Sequence, residues 1–311
     1  MTTLTQLEAY VAVADMGSFD GAARQLGVTQ SAISRQIREF EGRFRHPLLD
    51  RSARSARLTV DGVEVLGLAR AVLRERDVLL SQISTDETLQ RSLAIGVTEL
   101  AALTWLPRFV EVLRARFPKV ELKLEVGLGA NMVAALEHGR ADLVMVADVF
   151  KAPALRKLPL AAFSSGWYCS PTYAPGVRRM RVAQLAEHTL LTQGNLSGVG
   201  VAMTRWLAKH GVQPRSSLSC NSLSALGGMA TAGLGLANIP SAVARELVAG
   251  GMLREVQVVP ALPRMQFVAL LRLNAITPFL EEVAAMARTL CDYETPFQGA
   301  RRASPEAVES R

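Results

Sequence analysis

Apolar residues recur with the period of an α-helix at the start of the chain. They predict a first amphipathic helix with the apolar positions Leu4, Leu7, Tyr10, Val11 and Ala14. A second helix is expected to begin after Ser18, because its hydroxyl can accept a hydrogen bond from a backbone N–H that has no helical partner. This helix carries the small residues Ala22 and Ala23, then Leu26, and ends at Gly27, which tolerates a positive φ. The pattern therefore predicts closely packed helices joined by a tight turn.

A third helix is predicted directly after the turn, with one buried and one polar face. Ile33, Ile37 and Phe40 recur at spacings of four and three and predict the stripe that packs on the second helix. Val28 is expected to fill the angle between the two helices. The polar face carries side chains that suit base edges and phosphates in a DNA major groove, namely Thr29, Gln30, Ser31, Ser34, Arg35 and Arg38. The alternative interpretation is an ordinary surface helix hairpin with solvated polar residues.

The segment after the third helix is rich in serine, alanine and arginine. Arg51, Arg54 and Arg57 are three residues apart, the composition expected of a wing that lies along phosphates. Arginine suits this position because its guanidinium group pairs bidentately with phosphate oxygens. These three residues and Ser18 complete the predicted set of DNA-binding residues.

The first sixty residues carry a resemblance to a known family. The stretch LTQLEAYVAVADMGSFDGAARQLGVTQSAISRQIREFEGRFRHPLLDRSARSARLTVDG resembles the winged helix-turn-helix of LysR-type transcriptional regulators, without a gap. The resemblance implies a DNA-binding domain over residues 1–58 that reads a double-stranded operator. Two departures stand out: Ser31 replaces a usual proline, and Leu48, Leu49, Asp50 and Arg51 stand where the family has Leu-Phe-x-Arg.

A long amphipathic helix is predicted over residues 59–89. Two sets of apolar residues are spaced seven apart: Leu66, Leu73 and Leu80, and Val65, Val72 and Leu79. A small domain cannot bury so long a stripe, so we expect pairing with the same helix of a second subunit. The alternative is a helix that lies along the chain's own second domain. The resemblance implies a linker that dimerises, in a homodimer or a homotetramer built from two dimers.

Strands alternate with helices from Ser92 onward, which predicts an α/β domain with parallel sheets covered by helices. One helix is expected across ELAALTWLPRFVEVLRARF, and a break between two strand–helix sets is expected around residues 151–166. The layout and the motif GLGLANIP resemble the two-lobed effector-binding domain of the LysR family, which is similar to periplasmic binding proteins. The predicted domain covers residues 90–297. Lobe I spans about 90–162 and 267–297, lobe II spans about 163–266, and residues 298–311 form a disordered tail.

Candidate effector-binding residues follow the predicted strands or begin the predicted helices, where α/β sheets bind ligands. They are Thr98, Glu99, Leu100, Asn131, Asp148, Gln193, Asn195, Ser197, Gly198, Asn221 and Ser222. Each of them could equally be a cap with a purely structural role. Glu99 complicates the small carboxylate or aromatic acid that the resemblance implies, because its carboxylate would repel an anion. An effector with an amine or several hydroxyls therefore stays open.

Composition narrows the function further. The net charge of +7 and the pI of about 9.8 suit an anionic partner, although residues 1–60 contribute only +2. Cys169, Cys220 and Cys291 are widely scattered, which predicts buried thiols rather than a disulfide framework or a metal site; a redox pair is the alternative. We expect a cytoplasmic protein without a membrane contact, because no apolar run reaches about eighteen residues and the N-terminus lacks a signal pattern.

The chain lacks the motifs of the common enzyme classes, such as GxSxG, GxxxxGK[ST] and HExxH, so neither catalysis nor a cofactor is expected. The sequence instead predicts a transcriptional regulator whose operator binding responds to a small molecule between the two lobes. RNA polymerase is a further candidate partner. The alternative is a constitutive DNA-binding regulator whose C-terminal lobes only oligomerise.

Overall fold

The computed structural model describes residues 1–50, 56–83 and 92–295, so the predicted wing residues Arg51 and Arg54 and the tail 298–311 lie outside it. The chain forms two compact units. The first contains residues 1–91 together with 137–141, and the second contains residues 92–136 and 142–311. Among the helices of the described residues, none is long and apolar enough to cross a membrane.

The first unit is a three-helix domain with a small β-hairpin and a long helix. Its elements are α1 (Leu4–Met16), α2 (Phe19–Leu26), α3 (Gln30–Glu41), β1 (Leu49–Asp50), β2 (Arg57–Leu58) and α4 (Val60–Ile83). Strands β1 and β2 pair antiparallel. The side chains of Tyr10, Ile33, Ile37 and Phe40 are buried, and the Tyr10 and Phe40 rings lie 5.2 Å apart. The predicted stripe of α3 therefore lies in the core of this domain.

Three apolar residues of this domain, two at the turn and one at the start of α1, are more exposed than the pattern predicted. The side chain of Val28 is 43% exposed and does not fill the angle between α2 and α3; Leu26 and Leu4 are also exposed. Val28 donates its backbone N–H to the carbonyl of Ala23 and so extends the turn beyond α2. The alanines of α2 are covered within a core that includes Tyr10, so the angle needs no further side chain.

Helix α4 divides its apolar residues between two faces. Leu66 and Ala69 are buried in the core of the first domain, and Leu73 packs against it. Ion pairs from Arg70 to Asp15 and from Arg76 to Glu8 also hold α4 against α1. Val72 is 48% exposed and Leu79 is 56% exposed. One part of the predicted stripe therefore packs on the helix's own three-helix domain, while another part stays exposed.

The second unit contains two mixed β-sheets, whose elements follow in chain order. The first stretch supplies β3 (Ser92–Val97), α5 (Glu99–Leu103), α6 (Leu106–Arg116), β4 (Glu121–Val126), α7 (Gly129–Glu137), β5 (Leu143–Ala147) and β6 (Leu155–Phe163). The second supplies β7 (Ser165–Cys169), β8 (Arg179–Arg181), a 3-10 helix (Val182–Glu187), β9 (Thr189–Thr192), α8 (Gly198–Lys209), β10 (Ser216–Ser219), α9 (Leu223–Thr231), β11 (Leu236–Pro240), α10 (Ser241–Ala249) and β12 (Arg254–Val259). The chain then forms β13 (Met265–Arg272), a short 3-10 helix (Leu273–Ala275) and α11 (Pro278–Leu290).

The strand order shows that the chain passes between the two sheets twice. One sheet has the order β4-β3-β5-β13-β6 and the other has the order β10-β9-β11-β7-β12-β8. The chain leaves the first sheet after Phe163 and returns to it at Met265. The prediction of parallel sheets is wrong for two strands, because β13 returns antiparallel between β5 and β6, and β7 lies antiparallel to both β11 and β12.

Local chemistry explains two further differences from the prediction. The single helix expected after Val97 is broken at Thr104, because Pro107 begins a new helix and cannot donate a backbone hydrogen bond within the old one. Strand β6 lies where the sequence indicated a break, since Pro159 interrupts its apolar pattern. Proline is tolerated there because β6 is an edge strand.

Candidate DNA-binding surface and candidate effector site

The polar face of α3 is held in place by its own short-range hydrogen bonds. Thr29 caps the helix by accepting the backbone N–H of Ala32 at 3.3 Å, and its Oγ1 lies 3.0 Å from the Oγ of Ser31. Gln30 donates from Nε2 to the Oγ of Ser34 at 3.2 Å. The predicted polar face therefore presents hydroxyl and amide groups to solvent in one ordered row.

Two guanidinium groups extend this row toward the end of α3. Arg35 and Arg38 are both exposed. The Nε of Arg35 lies 4.0 Å from a carboxylate oxygen of Glu39, whose other oxygen accepts the side-chain amide of Gln6 at 3.0 Å. A surface ion pair of this kind contributes little, so Arg35 can turn toward a phosphate at small cost.

The other predicted DNA-binding residues lie at the start of α2 and in the wing. Ser18 is the N-cap of α2 and accepts the backbone N–H of Gly21 at 3.1 Å, so its hydroxyl already has a structural task. Arg57 is exposed on β2, opposite Asp50. The described residues thus place one of the three wing arginines on the surface, and its contact with DNA stays a prediction.

A buried carboxylate that was not predicted from the sequence, that of Glu41, joins α3 to the wing. Oε1 of Glu41 accepts the backbone N–H groups of both Leu48 and Leu49 at 3.0 Å. Nearby, Tyr10 donates its hydroxyl to the carbonyl of Gly62 at 2.8 Å. Burial raises the pKa of Tyr10, and the charge of Glu41 raises it further, so the phenol stays protonated and donates. A glutamate at a helix end is typical of a surface position, so the sequence offered no signal for this contact.

The candidate effector residues of the first sheet lie at the end of β3 and the start of α5. Leu100 is 2% exposed and belongs to the hydrophobic core, so its side chain is not available to a ligand. The Oγ1 atom of Thr98 is buried and makes no hydrogen bond to any described residue. Glu99 is partly buried and reaches the start of α9, on the second sheet.

The carboxylate of Glu99 accepts four hydrogen bonds. Oε2 accepts the backbone N–H of Leu223 at 2.6 Å. Oε1 accepts the backbone N–H and the hydroxyl of Ser224 at 3.2 and 2.9 Å, and the hydroxyl of Ser222 at 3.2 Å. Two of the predicted residues, Glu99 and Ser222, therefore meet, and they are joined by Ser224, which was not among the predicted residues.

A second hydrogen-bonded group lies around Gln193. Its amide nitrogen donates to the carbonyl of Asn221 at 3.1 Å, and its amide oxygen accepts the hydroxyl of Ser197 at 2.6 Å. Ser197 in turn caps α8 by accepting the N–H of Val199. A Cβ at Gly198 would lie 2.5 Å from the Cβ of Ala147, so this glycine permits a close approach to β5. These predicted residues form one network, in which the polar atoms of Gln193 are already paired.

The remaining predicted residues lie outside the Glu99 contacts and the Gln193 network. Asp148 is exposed and pairs with Lys157 at 2.6 Å. Asn131 and Asn195 are exposed. The candidate effector site is therefore narrowed to Thr98, Glu99 with its partners at the start of α9, and the Gln193 network.

The described residues include three cysteines and several side chains of the types that bind metals. Cys169, Cys220 and Cys291 are free thiols; Cys169 is buried, whereas Cys220 and Cys291 are partly exposed, so the prediction of buried thiols is wrong for these two. Burial raises the pKa of Cys169 and of Cys291, which favours the protonated thiol over the reactive thiolate. No group of three or more His, Cys, Asp or Glu side chains within the described ranges could hold a metal ion.

Comparisons with known proteins match both units. The family model described as the LysR substrate binding domain matches residues 86–292, and the model of the bacterial regulatory helix-turn-helix protein, lysR family, matches residues 4–63. The HTH-type transcriptional regulator CbbR of Cereibacter sphaeroides is 30% identical over 270 residues, which are 84% of this chain and 85% of that protein. PecT of Dickeya dadantii is 32% identical over 173 residues, about half of each chain (55% and 53%). A cysteine-to-aspartate variant of full-length OxyR from Pseudomonas aeruginosa shares the fold, with a TM-score of 0.74, 19% identity and 94% and 96% of the two chains covered.

Proposed function

Because this chain belongs to the LysR family of DNA-binding transcriptional regulators and carries that family's substrate-binding effector domain, we propose that a small molecule bound between its two sheets controls how it binds an operator. The single observation that carries this proposal is that the two units present different kinds of polar groups. One presents an exposed polar helix face, and the other joins two sheets through polar groups at their strand and helix ends. We infer that regulation, rather than catalysis, is the whole activity.

The proposed domain organisation follows the sequence. Residues 1–58 bind DNA, residues 59–89 link and dimerise, and residues 90–297 bind the effector with lobe I at about 90–162 and 267–297 and lobe II at about 163–266. In this arrangement α3 lies in the major groove. Thr29, Gln30, Ser31 and Ser34 then face bases, whereas Arg35, Arg38, Ser18 and the wing arginines Arg51, Arg54 and Arg57 face phosphates.

The separation of base contacts from phosphate contacts gives a testable prediction. Replacing Ser34 by alanine is expected to change the preference among operator variants, by about 1–3 kcal/mol at the affected base pair. Replacing Arg57 by alanine is expected to weaken binding to all sequences alike and to lower the salt dependence of binding by about one ion. Fluorescence anisotropy with labelled duplexes at several salt concentrations measures both effects. Equal and unselective losses in the two variants would contradict the assignment of Ser34.

We propose that α4 forms the dimer interface through its exposed apolar face. Leu68 is 63% exposed, and Val72 and Leu79 follow at spacings of four and seven, as in a coiled-coil seam. Because Leu66 and Ala69 pack on the helix's own domain, the partner helix would contact the other side. A homodimer, or a homotetramer of two such dimers, would then match its two-fold symmetry to a palindromic operator.

The proposed regulatory step acts through Thr98, Glu99 and the Gln193 network. An effector that binds between the sheets would favour one arrangement of the lobes over another. In a dimer or tetramer this would change the spacing of the DNA-binding domains and the bend of the DNA, which RNA polymerase would then meet at the promoter. The four hydrogen bonds of Glu99 favour a second candidate function, a constitutive regulator, because they join the two sheets through groups of the chain itself.

One experiment with the full-length protein separates these candidates. Operator fragments are first selected from a library of random duplexes, and a panel of acids, amines and polyols is then screened by thermal unfolding. A compound that raises the melting temperature in a saturable manner and also changes the DNA footprint or bend angle supports the regulated form. Specific DNA binding without any such compound supports the constitutive form, whereas failure to select any duplex would overturn both.

A further inference from the structure

The first backbone N–H groups of α9 are satisfied by a side chain from a distant part of the fold. The first residues of any α-helix have N–H groups without a helical acceptor. In α9 these belong to Leu223 and Ser224, and both donate to Glu99 at 2.6 and 3.2 Å. Ser222 caps the next free group, that of Ala225, at 3.2 Å. The start of α9 is therefore fully occupied by groups of this chain.

The four donors around Glu99 form the arrangement that would bind a free carboxylate. Two backbone N–H groups and two serine hydroxyls converge on the two oxygens. The positive end of the helix dipole adds to the attraction, and hydrogen bonds to an ionised acceptor are stronger than neutral ones. A carboxylate bound at a helix N-terminus is a common form of anion recognition. Here the anion is supplied by the protein itself.

Glu99 and the helix that it contacts belong to different sheets. Glu99 follows β3 of the sheet β4-β3-β5-β13-β6, whereas α9 packs on β9 and β11 of the other sheet. A group that is tethered within the same molecule competes at an effective concentration in the millimolar range or above. A free monocarboxylate at ordinary concentration therefore cannot displace Glu99 easily.

We propose that Glu99 is an internal ligand that masks a carboxylate-binding site at the start of α9. Its carboxylate occupies the donors at the start of α9, and a free carboxylate enters this site only when the side chain of Glu99 is absent. The effector is consequently recognised by other groups, such as the buried hydroxyl of Thr98, which has no hydrogen-bond partner among the described residues and directly precedes Glu99. The masked site stands on its own contacts, whereas the recognition of an effector and the link to DNA binding rest on the proposed function.

The test is a rescue experiment on the full-length chain. The three tryptophans of the chain, Trp105, Trp167 and Trp206, all lie in the second unit, so their fluorescence follows the unfolding of this unit alone. In sodium chloride, the variant Glu99→Ala is expected to unfold about 5 °C below the unmodified protein. Replacing chloride by acetate or formate at constant ionic strength should raise the melting temperature of the variant in a saturable manner, and that of the unmodified protein should not change.

Three further variants make the result specific. Glu111→Ala removes an exposed glutamate of α6 and should show neither the loss nor the rescue. Glu99→Gln keeps the volume of the side chain, so it should lose stability without becoming responsive to acetate. Ser224→Ala removes one hydroxyl donor, which should give a smaller loss without rescue, and it keeps the test open if Glu99→Ala fails to fold.

Two outcomes would overturn the masked site. One is an acetate effect of equal size in Glu99→Ala and the unmodified protein. The other is an unchanged melting temperature in both Glu99 variants. Anisotropy with duplex DNA, measured on the same samples, keeps the proposed function separate. If the unmodified protein binds no DNA, the proposed function is wrong. The acetate result alone tests whether Glu99 masks a carboxylate-binding site.

Discussion

Replacing Gly200 by alanine is expected to lower the stability of the second unit by about 3 kcal/mol, the upper range for an overpacked core. An added Cβ would lie 2.3 Å from the carbonyl oxygen of Gly194 and 2.4 Å from that of Gln193, and neither backbone atom can move without its neighbours. The melting temperature measured by tryptophan fluorescence should then fall by roughly 6–12 °C. The displaced segment carries Gln193 and Ser197, so any effector-induced rise in melting temperature should also disappear.

Gly228 offers a matched control in α9 of the same unit. A Cβ at this position would have no heavy atom within 4 Å. Alanine has the higher helix propensity, so Gly228→Ala should raise the stability by about 0.5–1 kcal/mol. Two variants with the same chemical change and opposite signs would identify the close approach as the cause. An unchanged or higher melting temperature in Gly200→Ala would contradict the packing at this site.

Replacing Glu41 by alanine is expected to cost the DNA-binding domain about 3 kcal/mol, because hydrogen bonds to a charged group contribute about 1.5–3 kcal/mol each. The buried N–H groups of Leu48 and Leu49 would lose their acceptor, and the start of the wing would no longer be fixed to α3. Hydrogen–deuterium exchange of these two amides should accelerate by a factor of about 100. Binding to all duplexes should weaken, since the wing contacts phosphates in the proposed complex.

Glu39 provides the comparison on the same helix. It is exposed, accepts the side-chain amide of the buried Gln6 and lies near Arg35, so Glu39→Ala should cost about 1 kcal/mol and leave the exchange of Leu48 and Leu49 unchanged. Glu41→Gln should be intermediate, because the amide oxygen can still accept both N–H groups. If Glu41→Ala and Glu39→Ala behaved alike, the contact between Glu41 and the wing would not hold the domain together.

The DNA-binding domain was predictable from the sequence because its signals are local. The caps of α2 and α3, the turn glycine and the stripe of Ile33, Ile37 and Phe40 all act within a few residues, and the structure confirms each of them. The prediction that Val28 is buried was wrong, because its burial depends on how α1 packs against α2 and α3. The contacts of Glu41 also depended on the path of the wing, which no periodicity encodes.

In the candidate effector site, too, contacts between neighbouring residues were predictable and contacts between distant residues were not. The caps at Ser197 and Ser222 follow from the type and position of each residue, and the structure confirms both as caps. The charge of Glu99 was enough to predict that it would repel an anion. Its acceptor role could not be predicted, because its partners lie more than 120 residues further along the chain. The mixed strand directions escaped prediction for this reason as well, since β13 pairs with strands far from it in sequence.

The double passage of the chain between the two sheets limits which segments of this protein can be exchanged with those of another regulator. The sheet β4-β3-β5-β13-β6 takes strands from both sides of the other sheet, so this sheet does not correspond to one continuous stretch of the gene. A crossover within residues 165–259 would combine half of the second sheet with a foreign remainder. A functional chimaera with another regulator therefore has to exchange either residues 165–259 or the whole segment from Ser92 to Leu290, because a single crossover inside the second unit leaves one of the two sheets incomplete.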